Sequence, residues 1–191
     1  MMHTERKANA MGRQRRKAGL TLVEIVSGAA VLAIAIVSVL MALISQITLN
    51  EHSRNLAWAS NDASRVLEQL QQQNGAGECT TIDVDAPGAF VSDYGAGWDS
   101  VGWNAWLGDT IANGGAGGKS VPPNPATEEL VTVTSTGTDP VEATVAVCWR
   151  HRQRVIGECA WNGVQLTASD LDGNGRITSP AMLSTFVTCQ R

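Results

Sequence analysis

One carboxylate stands where an apolar run begins. In RRKAGLTLVEIVSGAAVL, Arg15 to Leu32, a basic cluster meets a hydrophobic stretch and Glu24 sits four residues inside it. A charge deep in a bilayer costs ~2.5–3.5 kcal/mol on insertion scales, so an acid there implies a cationic partner or a route to the interface. A second group of oxygens lies near the C-terminus in SDLDGNGRITSP, Ser169 to Pro180. Asp170, Asp172 and Asn174 take positions 1, 3 and 5 of an EF-type calcium loop, Gly175 takes the sharp turn at 6, the Arg176 carbonyl falls at 7 and Ile177 at 8. Position 12, where a bidentate acid is usual, is Ala181. The competing readings are a calcium site completed by Glu158, Asp83 or Asp85, a turn held by Asx side chains alone, and a site for another cation. Such a site would be structural work for a loop at a subunit surface.

Four cysteines, Cys79, Cys148, Cys159 and Cys189, all follow the apolar run. An even count in an exported region predicts disulfides, and no CxxC spacing or nearby His supports zinc. Three pairings are possible. Cys159–Cys189, which brackets the acidic loop, is the one favoured here. Catalysis is not expected. No Ser/His/Asp, Cys/His or paired-carboxylate arrangement stands out among His3, His52, His151 and the disulfide-prone cysteines. Gly118-Lys119-Ser120 spells part of a phosphate loop, but no apolar strand leads into it. Trp98, Trp103 and Trp106 lie within nine residues. Trp103 and Trp106 share a helical face and read as core or subunit packing, with a ligand patch as the rival.

These groups need elements to hold them. Residues 1–19 carry six basic residues against Glu5, +5. The remaining 8 basic and 17 acidic residues of the chain give −9. A basic leader stays on the cytoplasmic side and places the acidic remainder outside. Net −9 opposes a general nucleic-acid partner. The patch Arg150-His151-Arg152-Gln153-Arg154 reads as a solvated hairpin loop.

Ile25 to Ile44 is twenty residues without a charge, the length that crosses ~30 Å of hydrocarbon. It is too long for a cleaved secretory signal. A helical pattern continues beyond it, with Ile47, Leu49, Leu56, Trp58, Val66, Leu67 and Leu70 near helical spacing until Gly75. One helix from about Leu20 to Gln73 would run ~80 Å. After Gly75 the chain turns Gly-, Asp- and Trp-rich. Alternating strands then follow at Leu130–Thr134, Val141–Trp149, Arg154–Ile156 and Leu183–Thr188. The expected fold is α+β, a long N-terminal helix packed on a small antiparallel sheet. The expected organisation is a leader at 1–19, the long helix at 20–74 with its transmembrane span at about 25–44, and an exported domain at 75–191.

Lys17-Ala18-Gly19 followed by Leu20-Thr21-Leu22-Val23-Glu24 resembles the class III leader of type IV prepilins and type II secretion pseudopilins. The resemblance covers the leader and the long helix, and implies a pilin-like roll for the rest. It implies cleavage after Gly19 by a prepilin peptidase, an N-methylated Leu20 and Glu24 as the assembly residue that pairs with a neighbouring N-terminus. It also implies other pilin or pseudopilin subunits, an inner-membrane assembly platform and membrane lipid as partners. Two departures, Leu20 where major pilins usually carry Phe and a long leader, fit minor pilins, pseudopilins and long-leader pilins better than the commonest major pilin type, with a major subunit as the runner-up within this class. No Pro lies in the first half of the helix, and Gly28 is the weak point where it could bend. The expected location is single-pass in the inner membrane before assembly, with the C-terminal domain periplasmic or extracellular in a filament. Two rivals are a membrane-anchored exported module binding calcium or another ligand, and an anchored periplasmic enzyme.

Overall fold

The computed structural model describes residues 21–75, 82–87, 90 and 98–188. The chain divides into two units, Met1–Ile47 and Thr48–Arg191. One helix, α1 (Leu22–Gly75), contributes to both, and it continues through Gly28 without a break. The rest of the second unit is β1 (Trp98–Asp99), α2 (Val101–Gly108), a 3-10 turn at Ile111–Asn113, the short α3 (Pro125–Glu128), β2 (Glu129–Gly137), β3 (Val141–His151), β4 (Arg154–Ile156), β5 (Cys159–Trp161), β6 (Leu166–Ala168) and β7 (Ala181–Val187). The α+β expectation is met.

The sheet is antiparallel and centred on β3. Strand β2 pairs along one edge of it, from Glu129↔Trp149 to Gly137↔Val141. Its other edge is shared, with β7 against Val141–Val147 and β4 against Trp149–His151. β1 extends the β2 side, while β5 and β6 form a separate hairpin. β3 alternates as a strand should, yet nearly every residue in it is buried. The reason is that both faces are covered. Val145, Val147 and Trp149 face a main core with Val131, Val133, Trp103, Leu107 and the helix residues Ala59, Ala63, Val66 and Leu70. Ala146 and Cys148 face a second core with Cys159, Leu166 and Ile177.

The buried stripe of α1 differs from the one the apolar residues suggest. It runs Asn55, Ala59, Asp62, Ala63, Val66, Leu70 and Asn74, a 3.6-residue period carried largely by small and polar side chains. Ile47 and Leu49, expected in that stripe, are exposed instead. Alanines at 59 and 63 bring the helix backbone close to the sheet, and the polar members are held by hydrogen bonds. Asn74, for example, exchanges side-chain bonds with the Asp83 backbone at 2.7 Å in both directions. α2 has the short amphipathic form expected. Trp103 and Trp106 meet edge to face at 5.4 Å, and Trp103 Nε1 donates to the Val84 carbonyl. Both rings are core, which removes them from any ligand patch.

The disulfide differs from the pairing favoured above. Cys159 bonds to Cys148 on β3. Cys79 and Cys189 lie outside the described residues. The bond crosses from the central strand to the β5–β6 hairpin and forms the heart of the second core. Gly157 makes room for it. A Cβ there would stand 2.7 Å from Cys148 Sγ, and the backbone φ of +98° is one that glycine adopts freely.

Candidate functional site

The start of α1 is built by Thr21. Its hydroxyl accepts the Glu24 amide at 3.3 Å, and its carbonyl accepts the same N–H at 3.0 Å. Thr21 therefore caps the helix, one half of a capping box, and Glu24 stands in the first turn, where the helix dipole favours an acid. This local explanation of Glu24 was legible in the sequence and was missed there. Glu24 is exposed and makes no ion pair among the described residues. Gly19 and Leu20, the expected cleavage pair, lie outside the described residues.

From Leu22 to Leu49 the helix presents apolar side chains all round. Ile34 is 68% exposed and Ile44 64% exposed. The three serines in this stretch bond back to the helix. The Ser27, Ser38 and Ser45 hydroxyls donate to the carbonyls of Glu24, Ile34 and Met41 at 3.1, 2.9 and 3.0 Å. A surface of this kind is stable only when lipid or another apolar surface covers it. By length and composition this helix is able to cross a membrane.

The C-terminal half of α1 carries two clamps that the sequence reading did not single out. At the first, Asp62 is fully buried and accepts the Ser120 amide at 2.6 Å, the Ser120 hydroxyl at 2.8 Å and Arg65 at 2.8 Å. Arg65 also donates to the Gly118 and Ala116 carbonyls. The glycine-rich loop at Gly118-Lys119-Ser120 is thus wrapped around α1, a structural use of the triplet. Glu129 is buried beside it. One of its oxygens accepts the Val121 amide at 3.0 Å, while the Lys119 ammonium donates to the Glu129 carbonyl at 2.7 Å. Burial first, and then the Asp62 charge, pushes the Glu129 carboxyl up to about 9. Burial lowers the Lys119 ammonium to about 8, against the attraction of Glu129 and Asp62. A signal for Glu129 existed in the sequence. It alternates in phase with Val131 and Val133, so it sits on the core face.

The second clamp joins α1 to the β3–β4 hairpin. Glu51 accepts Arg152 at 2.9 Å and lies 3.7 Å from His151 Nε2, while Asn55 Nδ2 meets His151 Nδ1 at 3.2 Å. Arg150 bonds Glu128 at 2.9 Å and lies over the Trp161 ring at 4.3 Å. The basic patch is a hairpin, as expected, but only part of it is free in solvent.

The Asp170 loop closes on itself. The Asp170 carboxylate accepts amides from Gly173 at 2.7 Å, Asn174 at 3.2 Å and Gly175 at 2.7 Å. These backbone bonds, that from Gly175 foremost, hold its pKa below the usual value. The Asp172 carboxylate accepts from the Asn174 side chain, and Asn174 Oδ1 accepts the Arg176 amide, both at 2.7 Å. Ile177 at position 8 is buried in the second core and anchors the loop. Ala181 at position 12 is already in β7, opposite Val147. Of the three acids considered as completing groups, Glu158 is the one brought to the loop, its carboxylate accepting the Thr178 amide at 2.8 Å. Asp83 and Asp85 are held instead by Gln73 through their carbonyls. Among the described residues no three His, Cys, Asp or Glu side chains gather as a metal-binding group.

No protein-family model matches the chain, and no curated protein or solved structure matches it.

Proposed function

We propose that the chain is a type IV pilin-like subunit, a minor pilin or a minor pseudopilin of a type II secretion system. The precursor inserts with residues 1–19 inside, is cut after Gly19 and is methylated at Leu20. It then joins a filament through its N-terminal helix, with the sheet domain outside. Its partners are other subunits, a prepilin peptidase and the inner-membrane assembly platform, and its role is structural rather than catalytic.

The observation that supports this reading most is the division of labour along α1. One uninterrupted helix exposes a charge-free apolar surface behind a single first-turn acid, and the same helix supplies the core stripe of an α+β unit. A plain anchor needs no such continuity. In a bundle of such helices, Glu24 of one subunit meets the Leu20 ammonium of the next. A buried pair of this kind adds little net stability but penalises every other stagger heavily. Glu24 is then the registry residue.

Calcium enters this reading as a structural ligand of the 170–181 loop, held by Asp170, Asp172, Asn174 and the Arg176 carbonyl, with Glu158 alongside. The loop's oxygen-rich composition supports that assignment.

The test is Glu24→Ala in cells that carry the assembly machinery. The expected result is a variant that is processed and inserted in the membrane but missing from sheared filaments. Recovery of Glu24→Ala in filaments at the wild-type level would refute the registry role.

A further inference from the structure

The chain after residue 19 is acidic, yet its cations are gathered rather than spread. Among the described residues, Arg65 and Lys119 serve the buried cluster at Asp62 and Glu129, and Arg176 lies beside Glu142. The other four, Arg54, Arg150, Arg152 and Arg154, fall at one corner, where the Glu51–Trp58 turns of α1 meet the β3–β4 hairpin. Arg152 and Arg150 are bonded to Glu51 and Glu128, which leaves a surplus of 4 − 2 = +2 in a region that is otherwise negative. Arg54 lies over Trp58 at 4.9 Å and Arg150 over Trp161 at 4.3 Å. A guanidinium stacked on a ring still presents its edge N–H groups to oxyanions; Arg150 spends Nη1 on Glu128, and Arg54 makes no ion pair among the described residues. Arg152 is 60% exposed despite its ion pair, and it occupies a left-handed turn position, φ +59°, that glycine would fill without strain. Arg154 is exposed beside it.

The position of this corner along α1 selects the partner. Glu51 is the first charge after Glu24, and it follows Ile44, the end of the twenty-residue apolar run, by seven residues, about 10 Å of helical rise. That is about where the headgroup layer lies outside the hydrocarbon core. Arginine and tryptophan together are the residue types that suit this layer.

We propose that the Arg54–Trp58 turn and the Arg150–Arg154 hairpin form a docking surface for the phosphates of anionic lipid headgroups on the face of the membrane where α1 emerges. The inference rests on α1 being a membrane anchor. It adds a second, lipid-composition-dependent contact made by the folded unit itself. Before assembly this contact holds the unit on the membrane, and entry into a filament must release it.

The experiment uses the full chain in nanodiscs of phosphatidylcholine, with and without phosphatidylglycerol, followed by amide hydrogen exchange. The expected result is slower exchange at residues 150–156 when phosphatidylglycerol is present, reversed by high salt. Each arginine should account for about a fivefold change, the equivalent of ~1 kcal/mol. Arg154→Gln, which disturbs no ion pair, should remove its share, and Arg176→Gln, the same charge change elsewhere, should remove none. Equal exchange in the two lipids overturns the proposal, as does equal loss with both variants. Protection that follows the number of chains per disc rather than the lipid also overturns it, in favour of a second copy as partner. Failure of the chain to enter discs at all would reject the anchor, and this inference with it.

Discussion

Glu129→Gln should remove a pH dependence built into the packing of α1 on the sheet. Glu129 is 2% exposed, and burial with Asp62 nearby holds its carboxyl at about 9, against 4.5 for an ordinary glutamate. Between these values the folded protein binds a proton that the unfolded chain has lost. Its stabilising contribution is complete below about pH 4.5 and is lost as pH rises toward 9. One proton of difference gives a slope of at most ~1.4 kcal/mol per pH unit. Lys119 acts in the opposite sense higher up. Lowered to about 8 from 10.5, it gives up its proton in the folded state first, so stability gains with pH from about 8 to 10.5. The two effects oppose one another from 8 to 9, which leaves the clean window below pH 8. From pH 5 to 8 the wild type should lose up to ~4 kcal/mol through Glu129. Gln accepts the Val121 amide as Glu does and carries no charge, so the variant should match wild type near pH 5 and exceed it at pH 8. The assay is urea unfolding of the full chain in detergent at pH 5, 6, 7 and 8, followed by tryptophan fluorescence. The quantity of interest is the difference between variant and wild type, because other groups titrate equally in both. Parallel profiles for the two proteins would refute the reasoning, as would a variant less stable at pH 8.

Three further outcomes follow from the same structure. Replacing Cys148 and Cys159 with Ser opens a loop of sequence separation 11 and should cost about 3 kcal/mol, read as a lower urea midpoint; non-reducing peptide mapping should show these two residues linked. Calcium at ten times a millimolar dissociation constant should add about 1.4 kcal/mol of stability, and Asp170→Asn should abolish the gain; no calcium response in the wild type would leave the loop an Asx turn. Ile34→Arg, at the middle of the exposed apolar stretch, should make membrane insertion less favourable by about 3–4 kcal/mol, and an unchanged fraction resisting alkaline extraction would count against a spanning helix.

The parts that follow from periodicity were legible in the sequence. The uncharged stretch and its helical continuation form one helix, and the alternating runs at 130–134, 141–149, 154–156 and 183–188 all lie largely within strands. What escaped depends on contacts distant in sequence. The buried face of α1 is marked by Ala59, Ala63 and polar residues, so a search for large apolar side chains selected Ile47 and Leu49, which are exposed. Asp62 looks like an ordinary helix-surface acid until the loop at Ser120 folds over it. The disulfide was misjudged because bracketing a loop says nothing about strand register. Cys148 on β3 faces the second core, where Cys159 lies, and that is decided by the pleat. β5 and β6 are three residues each, and neither has a β-branched run like that of β4 to mark it. Within the Asp170 loop the glycine turn and the buried Ile177 were readable, and so was the missing acid at Ala181.

The central claim concerns how the N-terminus of the mature chain is made, and intact mass of the protein from its native membrane fraction tests it directly. The account predicts a chain that begins at Leu20 and is heavier by one methyl group. A chain that retains residues 1–19, or one cut beyond Ile44, would contradict it.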